Sequence, residues 1–240
     1  MTEKIYLYDA YAKEVDSRIE RIIGNSLVID KTIFYPGGGG QPFDTGTMLI
    51  NGNNYDVLET KKDAGNIVHI LSGAPDAEAG AMVHCKIDWQ KRYAYMRHHT
   101  ALHIIGGVIA SKYNAQVIAT GGQIFYDRAR MDFDMPELNR ELLEKIIYDA
   151  NAIVKEGHKV YARELPREEA AKIPNLARTE PGRKLVESLD FVRVVEIEGL
   201  DVQADGGTHV ANTKEVGAIS LAKFENKGSH SKRIEITLKN

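Results

Sequence analysis

His99 and His103 stand four residues apart in Arg97-His98-His99-Thr100-Ala101-Leu102-His103. In a helix that spacing sets both imidazoles on one face, where they can share a metal ion. Asp205 and His209 repeat the spacing in Ala204-Asp205-Gly206-Gly207-Thr208-His209-Val210, where the two glycines allow a tight backbone turn. Three imidazoles and one carboxylate make a zinc ligand set, although a carboxylate is harder than a thiolate and admits other divalent metals. The expectation is therefore one zinc ion held by His99, His103, Asp205 and His209. No glutamate follows His99, so the helix of the common zinc proteases is not present. The other histidines, His69, His84, His98, His158 and His230, are scattered and read as structural or surface residues.

The elements that must carry this set fall into two halves. Residues 1 to 88 read as short strands: 4–8, 22–29 broken at Gly24-Asn25, 47–50, 55–58, 67–71 and 82–87. Frequent turns, including Asn51-Gly52-Asn53-Asn54, suggest a small barrel. Within it lies Phe34-Tyr35-Pro36-Gly37-Gly38-Gly39-Gly40-Gln41-Pro42-Phe43-Asp44-Thr45-Gly46. Its four glycines permit positive φ and close backbone approach, but no Lys-Ser or Lys-Thr follows, so it is not a Walker loop. From Asp88 the period becomes helical, with Asp88 as cap, basic early turns (Lys91, Arg92, Arg97) and an apolar face of Ala94, Ala101, Leu102, Ile105, Val108 and Ile109 as far as about Lys112.

This change of period places the domain boundary, giving a barrel at 1–88 and a metal-binding domain at 89–240. In the second half, strands are read at 117–120, 123–126, 131–134, 158–165, 191–197, 210, 216–224 and 234–238. A long helix covers 137–156 and ends at Gly157, a short one begins at Pro166, and 174–190 reads as loop with a short helix. The fold class is α+β, with a small N-terminal β-barrel followed by long helices packed on a mainly antiparallel sheet.

Composition adds exclusions. The chain has 240 residues, 43% hydrophobic and 27% charged, as in soluble globular proteins. No apolar run approaches the ~20 residues that span a bilayer, and the N-terminus has no apolar signal core. Cys85 is the only cysteine, which rules out an internal disulfide and suits the cytoplasm. A net charge of −3 excludes a wholly basic surface but permits local phosphate contacts. Candidates for these are Lys91, Arg92 and Arg97 on the metal helix and Lys227, Lys232 and Arg233 at a hairpin tip. Arg128 and Arg130 are read instead as internal partners of Asp127 and Asp132.

Taken in order, these residues resemble the AlaX family, freestanding relatives of the editing domain of alanyl-tRNA synthetase. The resemblance runs through Phe34-Tyr35-Pro36 with the glycines and Gln41, Asp44-Thr45-Gly46, Asp88-Trp89, Arg92, Arg97-x-His99-Thr100-Ala101-x-His103 and Asp127-Arg128-x-Arg130-x-Asp132-Phe133. It continues through Glu164-Leu165-Pro166-Arg167-Glu168-Glu169-Ala170, Asp201 to Val210 and Thr213-x-Glu215-x-Gly217. The added barrel is similar to that of the medium-length branch.

The resemblance implies a trans-editing hydrolase that deacylates alanine tRNA carrying serine, and in some members glycine. It implies the same four zinc ligands, although the commoner residue at position 205 is cysteine. It also implies that Thr120 recognises the serine hydroxyl and that Gln41, with the Gly38-Gly39 backbone, supports the reaction. Alternatives are a module that binds aminoacyl-tRNA or another RNA without chemistry, and a threonyl-type editing deacylase. The missing oligomerisation segment points to a monomer.

Overall fold

The computed structural model describes every residue except Ala115, Arg178, Thr179, Ser229, His230 and Asn240, so the reading of His230 lies outside the described residues. The chain divides into two compact units, Met1–Tyr93 and Ala94–Asn240.

In the first unit, β1 (Glu3–Lys4) pairs with β4 (Lys31–Thr32). The barrel strands are β2 (Glu14–Ile23), β3 (Ser26–Ile29), β5 (Gly46–Ile50), β6 (Asn53–Asp63), β7 (Asn66–Leu71) and β8 (Met82–Ile87). They close in the order β2-β3-β7-β6-β5-β8, antiparallel throughout. Closure leaves no free edge and turns alternate residues inward. Ile19, Leu27, Ile29, Phe34, Met48, Ile50, Val57, Leu71, Val83 and Cys85 fill the core. Burial pushes the Cys85 thiol up to about 12, so it is an inert core residue. The expected strand at 4–8 is instead a 3-10 turn at Ile5–Leu7: the Tyr8 and Asp9 N–H groups both donate to the Ile5 carbonyl, and Tyr6 is buried.

The glycine segment is framed by a buried ion pair. Arg92, fully buried, donates Nε to both oxygens of Asp44 at 3.0 Å, Nη1 to the Ala10 carbonyl at 2.9 Å and Nη2 to the Ile33 carbonyl and Asp44. Asp44 also accepts the Tyr35 N–H at 2.6 Å, so one carboxylate fixes both ends of the loop. Gly37 to Gly40 all have positive φ, and Gly38 and Gln41 exchange two backbone hydrogen bonds of 3.0 Å. The burial of Arg92 corrects its reading as a phosphate contact: every nitrogen is engaged inside the unit.

His69 is another buried polar group of the barrel. Its Nδ1 donates to the Leu27 carbonyl at 3.2 Å and its Nε2 accepts from the Thr32 hydroxyl at 2.9 Å, and burial lowers its pKa to about 4.

In the second unit, α1 (Trp89–Lys112), which begins in the first, is buried on nearly every side from Met96 to Ile109. One sheet runs β14 (Ala218–Asn226), β15 (Lys232–Lys239), β10 (Ala129–Asp134), β9 (Ile118–Ile124), all antiparallel. The other is β11 (Val160–Pro166), β12 (Phe191–Ile197), β13 (Asp201–Ala204). Helix α2 (Arg140–Glu156) is capped by the Asn139 side chain on the Leu142 N–H and stopped by Gly157 at φ 81. Its Asn151 amide holds the Ile219 backbone of β14 through two 2.9 Å bonds. Two short helices, α3 (Arg167–Ala170) and α4 (Glu180–Ser188), lie between β11 and β12. The strand expected at Val210 is absent, because the Val210 N–H is taken by the Thr100 hydroxyl.

Two outcomes follow. Arg92→Leu strands the Asp44 carboxylate in the interior and should cost about 3–5 kcal/mol in urea unfolding. Below pH 6.5 the unfolded chain protonates His69 while the folded barrel does not until about pH 4. Stability is then lost as pH falls through that window, on the order of 3 kcal/mol from this group. His69→Gln should flatten the pH dependence of urea unfolding by that amount, and an unchanged slope would place the titration elsewhere.

Candidate metal centre

The cluster is assembled by one helix and one hairpin. His99 and His103 lie one turn apart on α1, with ring centroids 5.2 Å apart. One turn further, Gly107 lets the β12–β13 turn press against the helix. A Cβ there would stand 2.9 Å from Leu200 Cγ and 3.0 Å from Asp201 Cβ. The hairpin leads straight to Asp205, whose N–H donates to the Arg193 carbonyl at 3.2 Å and extends the β12–β13 pairing by one residue. Arg193 Nη1 donates back to the Asp205 carbonyl at 2.6 Å. Asp205 Oδ1 accepts the Gly207 N–H at 2.7 Å, and this bend returns the chain so that His209 faces the helix. A Cβ at Gly206 would meet nothing within 4 Å, so the aspartate makes the turn, not the glycine-specific conformation expected there.

Asp205 Oδ2 lies 3.1 Å from His99 Nε2, 3.3 Å from His103 Nε2 and 2.8 Å from His209 Nε2. The four ligand atoms all fall within 4.8 Å of one another. Ligands at ~2.0–2.2 Å around a tetrahedral ion are separated by about 3.3 Å, so the set is spaced to hold a divalent metal. Its charge states suit one as well. Burial, with help from neighbouring cationic groups, lowers the His99 pKa to about 4 and takes His209 well below its usual value. At neutral pH both imidazoles are thus neutral. Burial opposes ionisation of Asp205, but the facing imidazoles outweigh it and hold its carboxyl well below the usual range. The donor set is the one a zinc-like ion requires, with neutral imidazoles at His99 and His209.

The remaining histidines serve elsewhere. His69 is in the barrel, His84 pairs with Asp16 at 2.8 Å, and His158 contacts Glu156 at 2.7 Å. His98 is buried and gives Nδ1 to the Ala94 carbonyl.

Thr120 is exposed on β9, at a bulge. Gly121 faces Asp132 and Ala119 faces Phe133, which leaves Thr120 as the extra residue between them. Bulges re-aim side chains and are common beside reactive sites. Gln41 is buried, and Gly38 and Gly39 form the exposed tip of their loop.

The basic candidates are mostly engaged. Arg97 gives Nε and Nη2 to the Val216 carbonyl at 3.1 and 2.8 Å. It packs beside Gly217, whose φ is 74 and where a Cβ would come 2.3 Å from the Lys239 carbonyl oxygen and 2.8 Å from Nη2. Lys232 is buried and caps its own hairpin through Asn226 Oδ1 and the Gly228 carbonyl, which corrects its reading as an RNA contact. Arg233 forms a two-nitrogen pair with Asp132 at 2.6 and 2.7 Å. That pair replaces the expected Arg130–Asp132 contact, and Arg128 meets Asp127 at 3.1 Å in an exposed pair and not the internal one expected. Lys91 and Lys227 remain exposed, beside Asp88 and Glu225. Arg193 and Thr100 were not singled out from sequence as working residues; neither has a spacing signal, and only the hairpin register and the helix packing bring them to the cluster.

Parts of both halves of the chain match families defined on tRNA synthetases. Residues 2–91 match the family described as tRNA synthetases class II (A), and residues 192–235 match the threonyl and alanyl tRNA synthetase second additional domain. Along its whole length the chain is 43% identical to an alanyl-tRNA editing protein AlaX-M of Saccharolobus solfataricus, covering all of both proteins. It is 38% identical to an AlaX-M of Methanosarcina mazei over 99% of this chain and 97% of that protein. An alanine–tRNA ligase of Pyrococcus abyssi is 38% identical over 93% of this chain but only 24% of its own length. The chain belongs to the AlaX-M family of alanyl-tRNA editing proteins.

Metal uptake can be read directly. Metal-free protein should bind one equivalent of cobalt(II) or zinc and unfold at a higher temperature, and His103→Ala should abolish both effects. In the cobalt form, Asp205→Cys should add a thiolate-to-metal band in the near ultraviolet; its absence would place residue 205 outside the direct ligands.

Proposed function

We propose that the protein is a trans-editing deacylase that hydrolyses the ester between a wrong amino acid, chiefly serine, and alanine tRNA. The observation that carries this is the convergence of His99, His103 and His209 Nε2 on Asp205 Oδ2, in a chain that matches editing proteins end to end. A zinc ion bound by these four residues would polarise the ester and lower the pKa of a water molecule.

The protein's own residues supply position and selection. His99 and His209, neutral by burial, present lone pairs at physiological pH. Arg193 holds the Asp205 backbone, so that the carboxylate keeps its place as the helix side is loaded. Thr120, released from strand pairing by the bulge, is the residue assigned to the serine hydroxyl. An alanine substrate cannot make that hydrogen bond and is held less well. Gln41 and the Gly38-Gly39 backbone are proposed to support the reaction. Lys91 and Lys227 are the basic side chains proposed for phosphate contact, because their partners are exposed and such pairs are weak enough to exchange. Arg97 and Arg233 are given framework roles.

Seryl- and alanyl-tRNA, both on alanine tRNA, decide the matter. Serine should be released quickly with alanine spared, and both chelation and His103→Ala should abolish the release. Thr120→Val should lower kcat/KM for the seryl substrate by about 10–100-fold with metal content unchanged. Tight tRNA binding without hydrolysis by metal-loaded protein would instead make this a binding module.

A further inference from the structure

Thr100 lies between the two α1 histidines of the cluster, yet it faces a different partner. It is fully buried, and its Oγ1 is 3.1 Å from His209 Nδ1 and 3.2 Å from the Val210 N–H. It is thus a helix side chain that reaches across to the loop carrying the fourth ligand. His209 needs such a partner more than the others do. His99 and His103 are oriented by helix geometry, and Asp205 by strand pairing, Arg193 and the Gly207 N–H. His209 belongs to no helix or strand, so its backbone alone does not fix the ring.

The hydrogen-bond inventory then limits the arrangement. The Thr100 oxygen has two acceptor sites and one donor proton. The Val210 N–H uses one acceptor site. If His209 Nδ1–H uses the other, the Nε2 lone pair is left facing the cluster, on the side where Asp205 Oδ2 stands at 2.8 Å. In the opposite tautomer Nε2 carries the proton and cannot bind a metal. We propose that Thr100 is a positioning residue of the metal centre: its hydroxyl accepts from His209 Nδ1 in the metal-loaded protein, fixing both the ring rotation and the tautomer that presents Nε2. Partners of this kind on the far nitrogen of a ligating histidine change metal affinity by about 10–100-fold.

The inference rests on the metal-binding part of the proposed function and is tested apart from tRNA hydrolysis. Zinc affinity is measured by competition with a chromophoric chelator for the native protein, Thr100→Val and Thr100→Ser. Thr100→Val should bind about 10–100-fold more weakly and Thr100→Ser, which keeps the hydroxyl, within about threefold of native. Native affinity in Thr100→Val overturns the inference while leaving the metal site standing; no metal uptake by the native protein overturns both. Thr100→Val also removes the acceptor of the buried Val210 N–H and could fail to fold. The native zinc protein labelled with 15N-histidine therefore gives an independent reading. His209 should show a protonated Nδ1 and a metal-bound Nε2, and a metal-bound Nδ1 refutes the proposal whatever the variants do.

Discussion

Three imidazole nitrogens meet one carboxylate oxygen in the interior of the second unit, and the surrounding structure answers the problem this creates. Buried polar groups are costly unless partnered, and buried imidazoles stay neutral. Each member is therefore held by something other than the cluster. Helix α1 carries two rings, the β12–β13 hairpin delivers Asp205, and an Asp205–Gly207 hydrogen bond turns the chain back to His209. The close approach at Gly107 sets the distance between helix and hairpin. An ionised carboxylate and the neutral rings of His99 and His209, with His103 beside them about one tetrahedral edge away, follow from that frame.

Many residues that look chemical in the sequence build the frame. Arg92 and Asp44 lock the base of the glycine loop, leaving its exposed tip to adopt positive φ at four successive residues. Arg97 anchors α1 to the carbonyl of Val216, and the next residue, Gly217, admits the close approach of the Lys239 carbonyl. Glu215 accepts the Ala211 and Asn212 N–H groups and closes the turn that follows His209 and Val210. Asp132 and Arg233 cross-link adjacent strands beside the Thr120 bulge. Recurring charged residues in such a chain mark buried ion pairs and caps as much as they mark substrate.

The basic residues show why charge alone is a poor guide to an RNA surface. Six were candidates by type and position, yet Arg92 and Lys232 are buried, and Arg97 and Arg233 are spent on carbonyl and carboxylate partners. A guanidinium has five donors in a fixed fork, so once buried it organises backbone carbonyls very effectively. The exposed lysines, more strongly hydrated and weakly paired, are the ones left to exchange partners.

By itself the sequence determined the local features: the helical pitch that puts His99 and His103 on one face, the alternation that closes a barrel, the cap and stop of α2, and a family pattern that runs the length of the chain. These depend on neighbours within a few residues, or on order along the chain, and both can be read linearly. Only the tertiary structure decided that Arg92 faces inward, that Thr100 meets His209 across 109 positions, that Arg193 clamps Asp205, and that Thr120 sits at a bulge. Each of these depends on register and burial between distant segments. Register is set by how strands pair and how closely Gly107 admits the hairpin, and no spacing within one segment carries that information.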